Sequence, residues 1–461
     1  MEEIVLKPEQ EFRFEVDFKK NFYITLRKGT GEIFGTEMAL NRKYKFSGTK
    51  RHVFTWDGCV LETEGEGKGY VGEDTPMKKN PNIGGPRVLV TGPPDSGKSS
   101  VSKILLNYSL REESSPCYVD LDIGNGESSI PGAISAQTLV RPIDIEEGIS
   151  ISSSIVYFFG YLTIKKNRNF FRELSTQLSK TINEKINKVS LLKSSGIIVN
   201  TMSFGCEDNN EYLLLLDLIR IFEIDIVIVL GDETLYNDLK IDLDINNKKI
   251  KNNQEKDKNS DNDNNNNNDN DNDNDSLNDL NQTNLENIES LKKDDSQVKT
   301  QKKVDVIHLL KSGGVKFQSK QFRKKYRFQK IRDYFYGTDQ KLNPYSFEIS
   351  FLELKFYTIS DFIVPKSALP IGRRSTLDPV RVNRTDPNES FQSSIVAVSF
   401  ANIDGGELTS SDIKYSNIAG FIFISQVDTQ KQKLSYLSPS SVTLPGKIVI
   451  VGDIKWIDYH Y

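Results

Sequence analysis

The sequence predicts an α/β fold in which a central domain carries a mostly parallel sheet covered by helices, flanked by an N-terminal β-sandwich and a C-terminal β-rich domain. Three observations carry that prediction. Residues 1 to about 76 alternate apolar and polar positions in short runs, from Arg87 short apolar runs alternate with longer helical stretches, and after Gly337 the two-residue alternation returns. At 461 residues the chain is too long for one core, and the changes of pattern divide it at 1–79, 87–337 and 338–461.

In the first part, runs such as Phe12-Arg13-Phe14-Glu15-Val16-Asp17-Phe18 place apolar side chains on one face of half-buried antiparallel strands. A polar stretch with Pro and Gly, Lys78 to Pro86, reads as a linker. Val88-Leu89-Val90 then begins a buried strand, followed by a helix through Val101, Ile104, Leu105 and Tyr108. Further buried strands are expected at Tyr118 to Ile123, Gly196 to Val199, Ile224 to Leu230 and Val304 to Leu310, with Tyr212 to Phe222 as a covering helix. The Asn/Asp tract at 244–301 lacks aromatics and is expected to be a disordered insertion.

The formal net charge of −4 is uneven: residues 251–300 hold 13 acidic and 6 basic side chains, a net of −7, which leaves +3 elsewhere (−4 plus 7). A mild basic excess outside the insertion suits a polyanionic ligand. The opening Met1-Glu2-Glu3-Ile4 has no signal-peptide character and no apolar run approaches spanning length, so a soluble cytosolic or nuclear protein without a membrane partner is expected. Cys59, Cys117 and Cys206 are far apart and read as small hydrophobes, and the scattered His52, His308 and His460 give no metal pattern.

Chemistry concentrates at Gly92-Pro93-Pro94-Asp95-Ser96-Gly97-Lys98-Ser99, which has Walker A spacing, follows a strand and opens a helix. Glycines let backbone N–H groups curl around phosphates at the positive helix end. Lys98 should then reach the β- and γ-phosphates and Ser99 should place its hydroxyl on Mg²⁺. Asp120 and Asp122 share one side of the next strand, and Asp122, nearer its C-terminal end, is placed to orient or deprotonate an attacking group. Its competing role is to cap a loop. Lys311 to Arg332 carries nine basic residues and no acid, with Phe322, Tyr326, Ile331 and Phe335 as an apolar stripe. This suggests a helix packed on the nucleotide domain with its basic face over the phosphates, or else a solvated charged face.

Together these residues resemble the Clp-type family of polynucleotide 5′-hydroxyl kinases, which includes the kinase-like subunit of pre-mRNA cleavage factor. Besides the P-loop, the similar stretches include Glu32-Ile33-Phe34-Gly35-Thr36-Glu37, Ser129-Ile130-Pro131-Gly132, Lys311-Ser312-Gly313-Gly314-Val315 and Arg332-Asp333-Tyr334-Phe335-Tyr336-Gly337. The resemblance implies a central P-loop NTPase domain that binds ATP with Mg²⁺. Glu11 and Lys50 would be the N-terminal nucleotide contacts, and Asp95, Ser96, Gly97, Lys98, Ser99 and Ser100 the phosphate loop. Asp122 would lie beside the acceptor hydroxyl, Arg327 and Arg332 would form a lid, and Phe204 would stack on an RNA base where the family usually has tryptophan. Phe204 reads equally as a core aromatic. Thr163 and Asn167 stand in the family's acceptor clasp, here without its proline, and Asn125 replaces a usual glutamine.

The implied activity is phosphorylation of RNA 5′ ends in mRNA 3′-end processing, tRNA splicing or both, in the nucleus. Implied partners are other pre-mRNA cleavage factor subunits and the tRNA splicing endonuclease. The clasp departures motivate an alternative, a catalytically silent ATP-bound scaffold of the cleavage machinery. A GTPase is the third reading, disfavoured by the lack of an Asn-Lys-x-Asp motif.

Overall fold

The computed structural model describes residues 2–8, 10–72, 85–112, 114–150, 154–189, 192, 195–204, 208–244, 303–338, 341–361, 378–401 and 408–457. The Asn/Asp-rich insertion beyond Asp244, most of the 78–86 linker, Cys206 and His460 lie outside them.

The N-terminal part folds as two antiparallel sheets of four and five strands. Alternation explains the sandwich: in Glu11–Val16 the side chains of Phe12, Phe14 and Val16 are buried and pack with Ile24, Leu26, Val53 and Leu61 between the sheets.

The central sheet has seven strands. Their order is Ile155–Phe158, Ala133–Thr138, Cys117–Asp120, Ile197–Asn200, Arg87–Thr91, Ile226–Leu230 and Asp305–Leu309. The last five are mutually parallel; the first two form an antiparallel hairpin added at one edge. All five parallel strands are legible as apolar runs, although the strand after Pro116 ends at Asp120 rather than Ile123 because Asp122 begins a turn. The hairpin's first strand is the part without a sequence signal: Ala133–Thr138 is buried but reads Ala-Ile-Ser-Ala-Gln-Thr. Helices Arg168–Lys188 and Asn209–Ile221 cover one face through Phe170, Phe171, Leu174, Leu178, Leu215 and Leu218, all fully buried. The second is the covering helix expected at Tyr212 to Phe222.

The C-terminal part is one seven-stranded sheet, antiparallel except where Lys355–Asp361 runs parallel to Ile448–Lys455. It docks onto the central part through Trp456, which stacks on Phe335 at a centroid distance of 5.7 Å, and through Lys414, buried at 2% side-chain exposure between Glu173 and Asp378. No helix among the described residues is long and apolar enough to cross a membrane. Cys59 and Cys117 are buried and free, as small hydrophobes.

Candidate active site

The phosphate loop leaves the central strand Arg87–Thr91 and enters the helix Lys98–Arg111. Two glycines permit the turn. At Gly92, φ is 144° and a Cβ would lie 2.5 Å from the Leu230 carbonyl; at Gly97, φ is 98°. Gly97 is also the N-cap and supplies no side chain to close the helix end. The first N–H groups of a 14-residue helix are therefore available to an anion, reinforced by the helix dipole. Ser96 Oγ is a further buried donor with no hydrogen-bond partner among the described residues.

Lys98 is buried at 7% exposure and its ammonium donates to Gly92 O (3.0 Å), Pro93 O (2.8 Å) and Ser203 Oγ (3.2 Å). Burial pushes its pKa down to about 8, with Asp122 and Asp95 opposing the shift. Ser99 and Ser100 follow in the first helical turn, with Ser99 Oγ 3.5 Å from Asn200 Nδ2.

The two aspartates differ in role. Asp120 is buried, and its carboxylate accepts from the backbone N–H groups of Asp122, Glu127 and Ser128, from the Ser128 hydroxyl and from Asn200 Nδ2. Burial and the neighbouring Asp122 charge push it up to about 6. It holds the loop 121–128 to the sheet. Asp122 Oδ1 accepts from Gly124 N and Asn125 N, both at 3.0 Å, so the loop-capping role is present. Among the described residues Oδ2 has no such partner, so one oxygen caps the turn while the other remains for a ligand. Burial raises the Asp122 pKa, opposed by those N–H groups and by Lys98 and Arg323.

The basic segment is helical only over Lys320–Tyr336, where Ser319 Oγ caps the helix by accepting from Phe322 N. Burial depresses the Arg327 pKa, Arg323 adds to the effect and Asp122 opposes it. Arg332, five residues after Arg327, is turned about 140° around the helix from it, with its guanidinium 6.0 Å from the Tyr336 ring. Arg323 and Arg327, one helical turn apart, share a face of this helix. Arg323 donates to Asp95 Oδ2 at 2.8 Å, and Gln318 N donates to the same oxygen at 3.1 Å. Asp95, itself at φ 56°, ties the phosphate loop to the lid.

On the N-terminal side, Glu11 is buried at 3% exposure and paired with Arg13, which also reaches Ser312 Oγ at 3.4 Å. Lys50 pairs with Glu15 at 2.9 Å and lies 5.2 Å over the Phe322 ring. The N-terminal sheet, the 312–316 loop and the lid therefore meet at one edge of the P-loop.

The acceptor-side expectations fare differently. Thr163 Oγ1 accepts from Lys165 N, and Asn167 Oδ1 accepts from Phe170 N at 2.9 Å, so both cap helices; Asn167 Nδ2 is buried without a hydrogen-bond partner among the described residues. Phe204 is wholly buried in the central core, so its ring presents no face to a base in this conformation. Its contribution here is structural, and its N–H donates to Gly92 O. Sequence reasoning missed Asn200, which ends the neighbouring strand beside Ser99, and Ser203, in the loop that follows beside Lys98; their position after an apolar run is the signal that was there to use.

Three family models match the chain. The N-terminal beta-sandwich domain of polyadenylation factor matches residues 5–84, the mRNA cleavage and polyadenylation factor CLP1 P-loop matches 92–272, and the pre-mRNA cleavage complex II protein Clp1 matches 342–458. A Protein CLP1 homolog of Dictyostelium discoideum is 34% identical, covering 97% of this chain and 88% of that one. The polyribonucleotide 5′-hydroxyl-kinase Clp1 of Homo sapiens is 32% identical, covering 98% and 96%. The fold matches a chain solved as the wild-type Clp1p–Pcf11p (454–563) complex, with a TM-score of 0.74 and 21% identity, covering 99% and 98%. With these matches along its whole length, and with the P-loop, the capped aspartate loop and the arginine-bearing helix in one place, the chain belongs to the Clp1 family.

Proposed function

We propose that the chain transfers the γ-phosphoryl group of ATP to the 5′-hydroxyl end of RNA, as the names of its mammalian relatives describe for those proteins. The observation that carries this reading is the convergence of Lys98, Asp122, Arg323 and Arg327 around the open N-terminus of the phosphate helix. A phosphate-binding scaffold needs the first of these; a buried carboxylate facing cations is what a phosphoryl acceptor needs.

The donor set also fits Mg²⁺. Ser99 offers a hydroxyl, and Asn200 Oδ1 is a buried oxygen without a hydrogen-bond partner among the described residues. Bound there with the nucleotide, the ion would draw charge from the β- and γ-phosphate oxygens. No group of three or more His, Cys, Asp or Glu among the described residues forms a separate metal site.

The chain's own residues do the rest. Backbone N–H groups of residues 95–99 and the Ser96 hydroxyl bind phosphate oxygens, while Lys98 exchanges its carbonyl partners for them. Asp122 accepts the proton of the 5′-hydroxyl as its oxygen bonds to the γ-phosphorus and the bond to the β-phosphate oxygen breaks. Its raised pKa suits a general base. Arg323 and Arg327 offset the charge that develops on the transferred group. Glu11 and Lys50 supply the nucleoside-side contacts.

Incubation with labelled ATP and a 5′-hydroxyl oligoribonucleotide tests the reading. Wild-type protein should label the RNA, and Lys98→Ala or Asp122→Ala should abolish it; no transfer by folded, ATP-bound protein overturns it. The capping roles of Thr163 and Asn167 and the burial of Phe204 favour the scaffold as the second reading, in which ATP is bound and not consumed. Work in the nucleus alongside other cleavage factor subunits follows the family. RNA 5′ ends as acceptors and the tRNA splicing endonuclease as a partner belong to the same proposal.

A further inference from the structure

The outward face of the five-stranded N-terminal sheet is charged, yet it is not left to solvent. Strand Glu11–Val16 turns Phe12, Phe14 and Val16 into the sandwich, so Glu11, Arg13 and Glu15 point the other way. Antiparallel pairing sets Tyr70 opposite Arg13 and Lys50 opposite Glu15 on that face. The segment 312–322, which leads into the lid helix, lies against it, and Arg13 is the centre of the contact. Its side chain is 11% exposed, pairs with Glu11, lies 5.8 Å from the Tyr70 ring centroid and donates to Ser312 Oγ at 3.4 Å. Two glycines leave room for it. A Cβ at Gly72 would sit 3.0 Å from Arg13 Cζ, and one at Gly314 only 2.3 Å from Arg13 Nε. Alanine at 314 would therefore collide with Arg13 where it now lies.

The same segment touches the phosphate loop. The turn at Gly313-Gly314 is closed by Val315 N on Ser312 O at 3.1 Å, and it brings Val315 Cγ2 to 3.2 Å from where a Cβ on Gly97 would be. Three residues on, Gln318 N and then Arg323 donate to Asp95 Oδ2. Between turn and helix the sheet holds the segment twice more: Lys316 pairs with Glu15 at 3.6 Å, and Phe322 packs on Phe18 at a centroid distance of 5.3 Å. Residues 315–319 have no helix or strand of their own, so their path is fixed by what they touch.

We propose that Arg13 is a positioning residue for the reaction: it seats the Gly313-Gly314 turn on the N-terminal sheet, and that seat holds Val315 and Arg323 against the phosphate loop. The N-terminal domain thereby sets the place of an arginine that the central domain uses. Loss of the anchor lets segment 312–322 drift, and Arg323 loses its fixed distance to Asp95 and to the transferred group.

This inference rests on the kinase reading for its kinetic readout. Full-length Arg13→Ala, Gly314→Ala and the double variant are compared with wild type. At saturating ATP, Gly314→Ala should lower kcat for 5′-hydroxyl RNA by about tenfold while KM for ATP stays within about threefold, because it leaves Glu11 and the phosphate loop unaltered. Arg13→Ala should lower kcat in the same way. In the Arg13→Ala background the added methyl meets no guanidinium, so the double variant should match Arg13→Ala within about twofold. Multiplying effects, or an unchanged kcat in Gly314→Ala, would overturn the proposal. If Arg13→Ala does not fold, Gly314→Ala decides it by the kcat criterion. Should wild type transfer no phosphate, the kinase reading fails by itself, and the seat is read from amide hydrogen exchange over residues 315–323. Exchange there should be at least about tenfold faster in both single variants than in wild type, and equal rates refute the proposal.

Discussion

Raising the pH from 7 to 9 should weaken ATP binding about tenfold through Lys98 alone, by proton linkage. Its buried ammonium, facing two carbonyls and a hydroxyl, titrates at about 8 in the ligand-free chain. Between phosphate oxygens it should return to about 10.5 or above. Binding then takes up a proton wherever the free chain has lost one: roughly a tenth at pH 7, a half at pH 8 and nine-tenths at pH 9. The ratio of protonated fractions gives the tenfold loss, about 1.4 kcal/mol. The sign for stability is the reverse. A lysine whose folded pKa lies below its unfolded value opposes folding at low pH, so the ligand-free chain gains stability as pH rises from about 8 to 10.5. Calorimetric titration of ATP at pH 8 in two buffers of different ionisation enthalpy measures the uptake directly, with about half a proton per nucleotide expected. An absence of buffer dependence would refute the reasoning, as would an undiminished uptake in Lys98→Met.

Other perturbations separate roles within the site. Arg323→Met should lower kcat by about 10²-fold, as loss of a single preorganised charge does, whereas Arg332→Met should change it by less than about threefold; initial rates on 5′-hydroxyl RNA distinguish them. Gly97→Ala forces a side chain into left-handed backbone and should cost about 1–2 kcal/mol of stability and most nucleotide affinity, read by thermal unfolding with and without ATP. Phe204→Ala should destabilise the central domain by about 3–5 kcal/mol in denaturant titration, as a core truncation does. Its replacement by Leu should restore stability without a selective loss of RNA affinity, and a selective loss would restore the stacking role. Lys414→Met leaves Glu173 and Asp378 without their shared cation and should lower stability by about 2 kcal/mol, since Asp378 is half exposed and partly screened.

The sequence by itself determined what local rules can specify. Apolar runs of four or five residues, period-two alternation and the spacing from Gly92 to Ser99 each have a short-range physical cause. The central parallel strands, the β parts on either side and the phosphate loop are therefore legible in the order of residues alone. Local signal ran out at Ala133–Thr138, a buried strand that is held between paired strands on both sides and is not apolar in composition. It ran out again in the basic segment: nine positive charges could be counted, but which of them face the phosphate loop depends on where the Ser319 cap starts the helix and on how Ile331 and Phe335 rotate it against the core. Tertiary packing set Arg323 against Asp95, turned Phe204 inward, and paired Lys103 with Glu127. Charge–charge contact between remote segments leaves no periodicity to read, because it is fixed by the register of whole elements and not by the residues that meet.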